Sequence, residues 1–336
     1  MNKFYKFIFP LGFLLLIFSL TNSSAGMIRE EQLNQFVTHY YQNPNPDQIP
    51  ATLRYFVSSN EFKIYMESNQ HVIDMLAYFF GRAAELKPKL LREYEKMYDR
   101  SNDAGKKFIF KIFSIYRDSA IDKFIKPRMV DSLQKKELQD FLSQPRKSKK
   151  FLVKEAQNLN QLDFLWMEFF VSGNRDSILK IIDVLKWKDV FRQRLQDWLL
   201  VSHPQREKAR LKELLQNDFQ VDVDMEHVKI NFIGDMDCLY SSFLRSPTSQ
   251  HENASAGIEL KKILNLSDQD SVYIATKGAA LVGLWTNVEA HPKVLEICKK
   301  QLLSQKKKPN LVLQDIVNSV TPAPKEDKAA KQKKRH

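Results

Sequence analysis

The stretch Asp163-Phe-Leu-Trp-Met-Glu-Phe-Phe-Val-Ser-Gly-Asn-Arg-Asp-Ser-Ile-Leu-Lys-Ile-Ile182 decides the fold class. With Leu162 before it, its first half places Leu165, Trp166, Phe169 and Phe170 at the three-and-four spacing of one helix face. Its second half repeats the pattern with Ile178, Ile181, Ile182 and Leu185. Between the halves, Gly173 suits a helix end that needs a left-handed residue, and Asn174 with Asp176 suits the next helix start. The segment reads as helix, tight turn, helix.

The same period recurs outward along the chain. Val72, Ile73, Leu76, Phe79, Phe80, Ala83 and Leu86 share one face over 69–86, and Phe108, Ile109, Ile112, Phe113 and Tyr116 share another over 105–117. Val190, Phe191, Leu195, Trp198 and Leu199 give a further helix, and weaker amphipathic patterns fall at 29–43, 87–98, 131–143, 205–217, 258–264, 272–286 and 293–304. Ser267 with Asp270, Pro204 and Pro292 punctuate as helix starts. Alternation appears only around Val221, Val223 and Met225, in a stretch running to Phe232 that offers no convincing partner strand. The expected fold is all-α, with many short antiparallel helices arranged as an α-solenoid or an irregular bundle. The helical body spans 26–318 and is long enough for two lobes.

The hairpin at 163–182 resembles one unit of HEAT-like or tetratricopeptide-like repeat proteins, although no second copy follows at a fixed period. Asp163 to Leu185 and Lys277 to Cys298 also resemble exported helical proteins of Gram-negative bacteria that have no established activity. That resemblance implies export and an all-α fold. It implies no catalytic residue.

At the N-terminus, Lys3 and Lys6 precede an apolar run from Phe7 to Leu20, followed by a short polar patch and Ser23-x-Ala25. A basic start, an apolar centre and small residues before the Ala25–Gly26 bond describe a secretory signal peptide over 1–25. The run falls short of the ~20 residues that span a bilayer comfortably. The expected destination is periplasmic or extracellular, the alternative being an inner-membrane anchor formed by residues 7–20. At the other end, 319–336 reads as a disordered basic tail, with six cations against two anions in 323–336.

Chemistry is mostly excluded. None of the nine glycines forms G-x-G, and Gly278 and Gly283 are followed by Leu284 and Trp285, so neither a dinucleotide nor a P-loop fingerprint exists and no cofactor is expected. The seven histidines lack zinc-ligand spacing, and His203 and His291 stand beside Pro204 and Pro292 as boundary residues. Asp222, Asp224, Glu226 and His227, with Asp235 and Asp237, resemble a cation loop in composition. Counted from Asp222, however, the sixth and twelfth positions hold His227 and Ile233, where calcium loops need Gly and an acid. An acidic inter-helix loop is the reading preferred. Cys238 and Cys298 are the only cysteines, free to pair in an oxidising compartment or to sit as small buried hydrophobes. Tyr40-Tyr41 before Asn43-Pro-Asn-Pro46 reads as a capped helix end, with a binding edge as the alternative.

The net charge of +12 concentrates in Arg146-Lys147-Ser148-Lys149-Lys150, Lys306-Lys307-Lys308 and the tail. These runs are solvated faces or contacts to an anionic membrane surface. Nucleic acid is disfavoured, since no binding motif accompanies the charge. The expected protein is an exported, non-enzymatic interaction protein whose helices form a groove for a protein or peptide, through apolar anchors and a basic rim. A membrane-held scaffold is the second reading, and a hydrolase using acids of 218–237 the third.

Overall fold

The computed structural model describes residues 30–58, 62, 66–116, 119–128, 136, 139–140, 155–218, 221–224, 229–232, 254–305 and 310–320. The chain is all-α and bundle-like. Helix α1 (Glu30–His39) runs into a 3-10 turn at Tyr40–Gln42, and α2 (Ile49–Ser58), α3 (Gln70–Leu86), α4 (Lys89–Arg100), α5 (Asp103–Ile115) and α6 (Ser119–Ile125) follow. The central pair is α7 (Leu159–Ser172) and α8 (Arg175–Val184). Then come α9 (Val190–Leu200), α10 (Gln205–Glu213), α11 (Ala254–Ile263), α12 (Asp268–Ala290), α13 (Pro292–Ser304) and α14 (Leu311–Val320). The predicted helix at 131–143 falls mostly outside the described residues.

Local chemistry sets many of these boundaries. Asn69, Asn102, Asn158, Asn174 and Asp189 each accept a backbone N–H of the following first turn, which satisfies a donor the helix cannot use and stabilises each start by about 1 kcal/mol. Ser267 and Asp270 form a reciprocal capping box at the start of α12. Gly173 takes φ +66° and donates its N–H to Phe169 O at 2.7 Å, closing α7 in the left-handed turn that glycine adopts most readily.

Three apolar clusters form, and two helices join them. The first cluster gathers α2 to α6, with Phe56, Phe79, Phe80, Phe108 and Phe113 at its centre. The second packs α8, α12, α13 and α14 around Trp166, Phe169 and Phe170 of α7. A smaller third holds Phe191, Leu195, Leu211, Leu260 and Ile274. Helix α7 is shared, with Phe164, Met167 and Val171 on the first cluster and Leu162, Leu165, Trp166, Phe169 and Phe170 in the second. Helix α12 likewise sends Leu284 and Val288 into the second and Ile274 into the third. Helix α7 therefore meets α1, α3, α8 and α12 at once. A solenoid unit touches only its sequence neighbours, so this convergence is the irregular bundle of the two expected arrangements.

Val221–Asp224 does form a strand, and its partner lies within the same stretch. Lys229–Phe232 pairs with it antiparallel, setting Val221 opposite Phe232 and Val223 opposite Ile230. This two-stranded hairpin is a local excursion from an otherwise helical chain. At the far end, α14 extends to Val320, so positions 319 and 320, assigned from sequence to the tail, are helical, and Val320 packs on the second cluster.

Candidate functional site

Several sequence candidates lie outside the described residues: the signal segment with Ala25 and Gly26, the clusters Arg146, Lys147, Lys149, Lys150 and Lys306, Lys307, Lys308, and the tail beyond Val320. Cys238 lies outside as well, whereas Cys298 is a free thiol fully buried in the second cluster. Burial pushes that thiol up to about 12, which makes it an apolar core residue. Asp222 and Asp224 belong to a strand, with Asn231 and Lys229 opposite, instead of a loop between helices. Glu226, His227, Asp235 and Asp237 lie outside the described residues. Among the described residues no group of three or more His, Cys, Asp or Glu side chains could hold a metal ion.

The aromatic pair at 40–41 is neither an exposed edge nor a simple cap. Tyr40 is buried, with its ring centroid 5.5 Å from that of Phe79, and Tyr41 lies 4.5 Å from Phe169. The Tyr41 hydroxyl and His291 Nδ1 hydrogen-bond at 3.1 Å. His291 stands at the α12–α13 corner, as its place before Pro292 implies, but it is also fully buried. Burial, helped by repulsion from His39, lowers it to about 4, so it stays neutral at neutral pH. This contact ties the N-terminal segment to the C-terminal half. His203, the other boundary histidine, stacks on Trp198 with centroids 3.8 Å apart.

Two buried polar groups tie the first cluster to α7. Glu168 is 1% exposed and receives Arg82 Nε at 2.8 Å, Arg82 Nη2 at 3.1 Å, Tyr78 Oη at 3.0 Å and Ser172 Oγ at 3.1 Å. The forked contact matches guanidinium to carboxylate geometry. Burial alone would push Arg82 down, but Glu168 and Glu85 outweigh it and hold the guanidinium above its ordinary value. Burial, reinforced by the Glu168 charge, raises the Tyr78 phenol, so the hydroxyl remains a donor. One turn before, His71 Nε2 and Asp163 Oδ2 lie 2.6 Å apart. The bond to Asp163 raises His71, while burial raises Asp163 against the opposing pull of His71, so the pair holds its proton tightly. Sequence reading did not single out these residues. Their signal was Asp163 and Glu168 as the two acids in the otherwise apolar run from Leu162 to Val171.

A binding surface of different character lies between α2 and α4. A cleft of about 560 Å³ is lined by Arg54, Val57 and Ser58 of α2, by Glu93, Lys96, Met97 and Arg100 of α4, and by Ser101 and Asn102 at the corner into α5. The size falls within the roughly 300–1,000 Å³ of ligand sites. The spacing explains the lining: 54, 57 and 58 share one face of α2, and 93, 96, 97 and 100 share one face of α4. Val57 and Met97 are buried and form the floor, while Arg54, Lys96 and Arg100 are exposed at the rim.

The rim's polar groups differ in how they are occupied. Ser58 and Ser101 donate back to Tyr55 O and Met97 O, and Asn102 accepts from Gly105 N–H. Lys96 donates to Glu93 at 2.8 Å; that bond first, and then the positive charge of Lys96, Arg54 and Arg100, holds the Glu93 carboxyl below its usual range. Among the described residues, neither Arg54 nor Arg100 has a hydrogen-bond or ion-pair partner. Three cations against one carboxylate, with two guanidiniums uncommitted, leave the cleft suited to an anionic group set beside an apolar one. Residues 46 positions apart on separate helices carried no joint sequence signal. Compared with known proteins, the chain matches no family model, no curated protein and no solved structure.

Proposed function

We propose that the chain is an exported, non-enzymatic helical protein that binds an acidic segment of another polypeptide in the cleft between α2 and α4. The observation that carries this reading is the pair of guanidiniums, Arg54 and Arg100, which have no hydrogen-bond or ion-pair partner among the described residues and stand above a floor of Val57 and Met97. Arginine presents a planar fork that matches a carboxylate, whereas the apolar floor takes a neighbouring aliphatic or aromatic side chain. A cleft with both features recognises a short sequence better than a bare charge. The absence of catalytic motifs in the sequence supports a binding role, and the N-terminal segment supports export.

A charge-assisted hydrogen bond contributes about 1.5–3 kcal/mol, so removing one arginine weakens binding roughly tenfold to a hundredfold. The test is fluorescence anisotropy with short peptides that pair Asp or Glu with Leu or Phe, set against scrambled-charge controls rich in Lys. Acidic amphipathic peptides bind the parent chain, and Arg54→Glu/Arg100→Glu abolishes binding with thermal stability unchanged. Equal binding by the double variant removes the cleft as the site.

A further inference from the structure

The buried histidine at the α12–α13 corner holds the N-terminal segment to the bundle, independently of the cleft and its ligand. Helix α1 and the turn Tyr40–Gln42 pack on α7, with Val37 and Tyr40 buried, Tyr40 set against Phe79 and Tyr41 against Phe169. The link Asn43-Pro-Asn-Pro46 separates this segment from α2, so 30–42 can leave without unwinding another helix. Its polar tie to the C-terminal half is the bond between Tyr41 Oη and His291 Nδ1 at 3.1 Å. Gln42 Nε2 donates to the same hydroxyl at 3.2 Å, which leaves the tyrosine proton free to meet Nδ1 as an acceptor. That is the bonding pattern of a neutral imidazole.

A second proton on His291 has nothing to meet. Nε2 is buried with no hydrogen-bond partner among the described residues. From α7 the ring faces Phe169 and Phe170, with centroids 6.4 and 5.4 Å away. From α1 it faces His39, itself ionisable, at 4.7 Å. On its own corner, Asn287 is uncharged and donates to Gly283 O, while Lys293 stands 5.8 Å above the Tyr41 ring. Glu296, one turn into α13, is engaged by Lys300, and Arg175 of α8 adds a further cation beside it. We propose that the Tyr41–His291 contact is an acid-released latch: on acidification segment 30–42 leaves α7 and uncovers Phe169, while the rest of the bundle stays folded. Burial, then repulsion from His39, holds the closed imidazole near 4, and no carboxylate charge acts on it. Once the segment leaves, water reaches the ring and returns it toward the ordinary 6.5 of a histidine, so the open form binds the proton that the closed form refuses. The closed form is therefore fully favoured above about pH 6.5 and loses ground as pH falls toward 4. Between pH 8 and pH 5 the open population rises by up to about thirtyfold.

Hydrogen exchange of the full chain, read by mass spectrometry at pH 8 and pH 5 and corrected for the intrinsic pH dependence of exchange, reports opening segment by segment. The expected result is a fall in the protection of 30–42 by roughly ten- to thirtyfold at pH 5, with α3 and α7 keeping theirs. In His291→Phe, which keeps a ring at the corner but cannot take a proton, the response shrinks to less than about threefold. Tyr41→Phe, which removes the hydroxyl and keeps the ring on Phe169, lowers the protection of 30–42 already at pH 8 and retains the acid response. Equal protection of 30–42 at both pH values overturns the latch. So does loss of protection in α3 and α7 together with 30–42, or an undiminished response in His291→Phe. Unchanged protection in Tyr41→Phe at pH 8 overturns it as well, because the hydroxyl bond would then hold nothing. A response abolished by His39→Gln with His291 in place has the same force, since His39 would be the group that titrates.

Discussion

Replacing Arg82 by Leu tests whether Glu168 is the charge that locks the first cluster onto α7. The wild-type carboxylate is 1% exposed and receives two bonds from Arg82, one from Tyr78 and one from Ser172. Arg82→Leu leaves both hydroxyl donors but removes the only counter-charge that touches Glu168 among the described residues. Stranding a buried charge in this way costs about 3–5 kcal/mol, against a typical total stability of roughly 5–15 kcal/mol. Glu85 also loses its partner at Arg82; its side chain is 18% exposed, so partial hydration limits the added cost. For a chain this long, each kcal/mol moves the midpoint by about 2 °C, which gives a fall of roughly 6–10 °C. Urea unfolding is the assay of choice, because guanidinium chloride would screen the charges under test. The double variant Arg82→Leu/Glu168→Leu should recover most of the loss, ending within about 2 kcal/mol of wild type, since the Tyr78 hydroxyl then loses only its bond to Glu168. The exposed pair Lys89–Asp47, at 2.9 Å, is the control, and breaking it should cost less than about 0.5 kcal/mol. A change under 1 kcal/mol for Arg82→Leu, or a double variant no better than the single, would refute the stranded-charge argument.

Two histidines predict opposite pH trends. His291, depressed to about 4 from the ordinary 6.5 of a histidine, stays neutral in the fold while the unfolded chain protonates, so its contribution is complete above pH 6.5 and falls as pH drops toward 4. The loss amounts to about 3 kcal/mol, and the acid limb of a stability–pH profile should flatten in His291→Phe. His71 is raised by Asp163, so its contribution is complete below about 6.5 and fades as pH rises through its folded value; His71→Ala should flatten the alkaline side instead. At Gly283, a Cβ would lie 3.0 Å from Trp166 Nε1 and 3.3 Å from Cε2, against a ring already stacked on Phe170. Gly283→Ala should therefore destabilise by about 1 kcal/mol despite the better helix propensity of Ala, and the near-UV dichroism of Trp166 should change. Cys298, buried and held up to about 12, should react with a thiol reagent at the unfolding rate when Cys238→Ser removes the other thiol. Rapid native-state labelling would place it at the surface instead.

The parts of the fold that were legible are those where local chemistry and packing agree. Gly173 with Asn174 marked the α7–α8 turn because a left-handed terminus and an N-cap both have a residue-level signature. Ser267 with Asp270 marked the start of α12 for the same reason. Helices α2, α6 and α14 had no such signature in the sequence reading. Helix α2 opens with Ile49-Pro50 and lacks charge in its first turn, α6 is seven residues long, and α14 mixes four β-branched residues into an apolar run that reads equally well as a strand. Their state is decided by burial of Leu53 and Phe56, of Ile121 and Ile125, and of Leu313 and Ile316 against helices distant in sequence. The strand at Val221–Asp224 was visible, but its partner five residues on was not, because Lys229–Phe232 carries no turn signal before it.

The candidate sites divide along the same physical line. A motif is legible when its members share one turn or one loop, and the charge runs at 146–150 and 306–308 stood out for that reason. Arg54 and Arg100 belong to different helices, and each alone is an ordinary surface cation. Only the packing of α2 against α4, with Val57 and Met97 between them, brings both over the same cleft with no hydrogen-bond or ion-pair partner among the described residues. Glu168 obscured its role in the opposite way. It sits among Trp166, Met167, Phe169 and Phe170, where periodicity assigns a core helix and passes over the single acid. A carboxylate in an all-round apolar helix cannot remain there uncompensated, so its presence requires a cation from another element. That requirement could have been read from the sequence, but the identity of the cation could not. Arg82 lies 86 positions earlier, on the face of α3 that turns toward α7 only once the first cluster has formed. The same dependence explains why the cleft emerges only in three dimensions. It consists of residues left over after packing is complete, and what a surface offers to a partner is set by which side chains the core did not use.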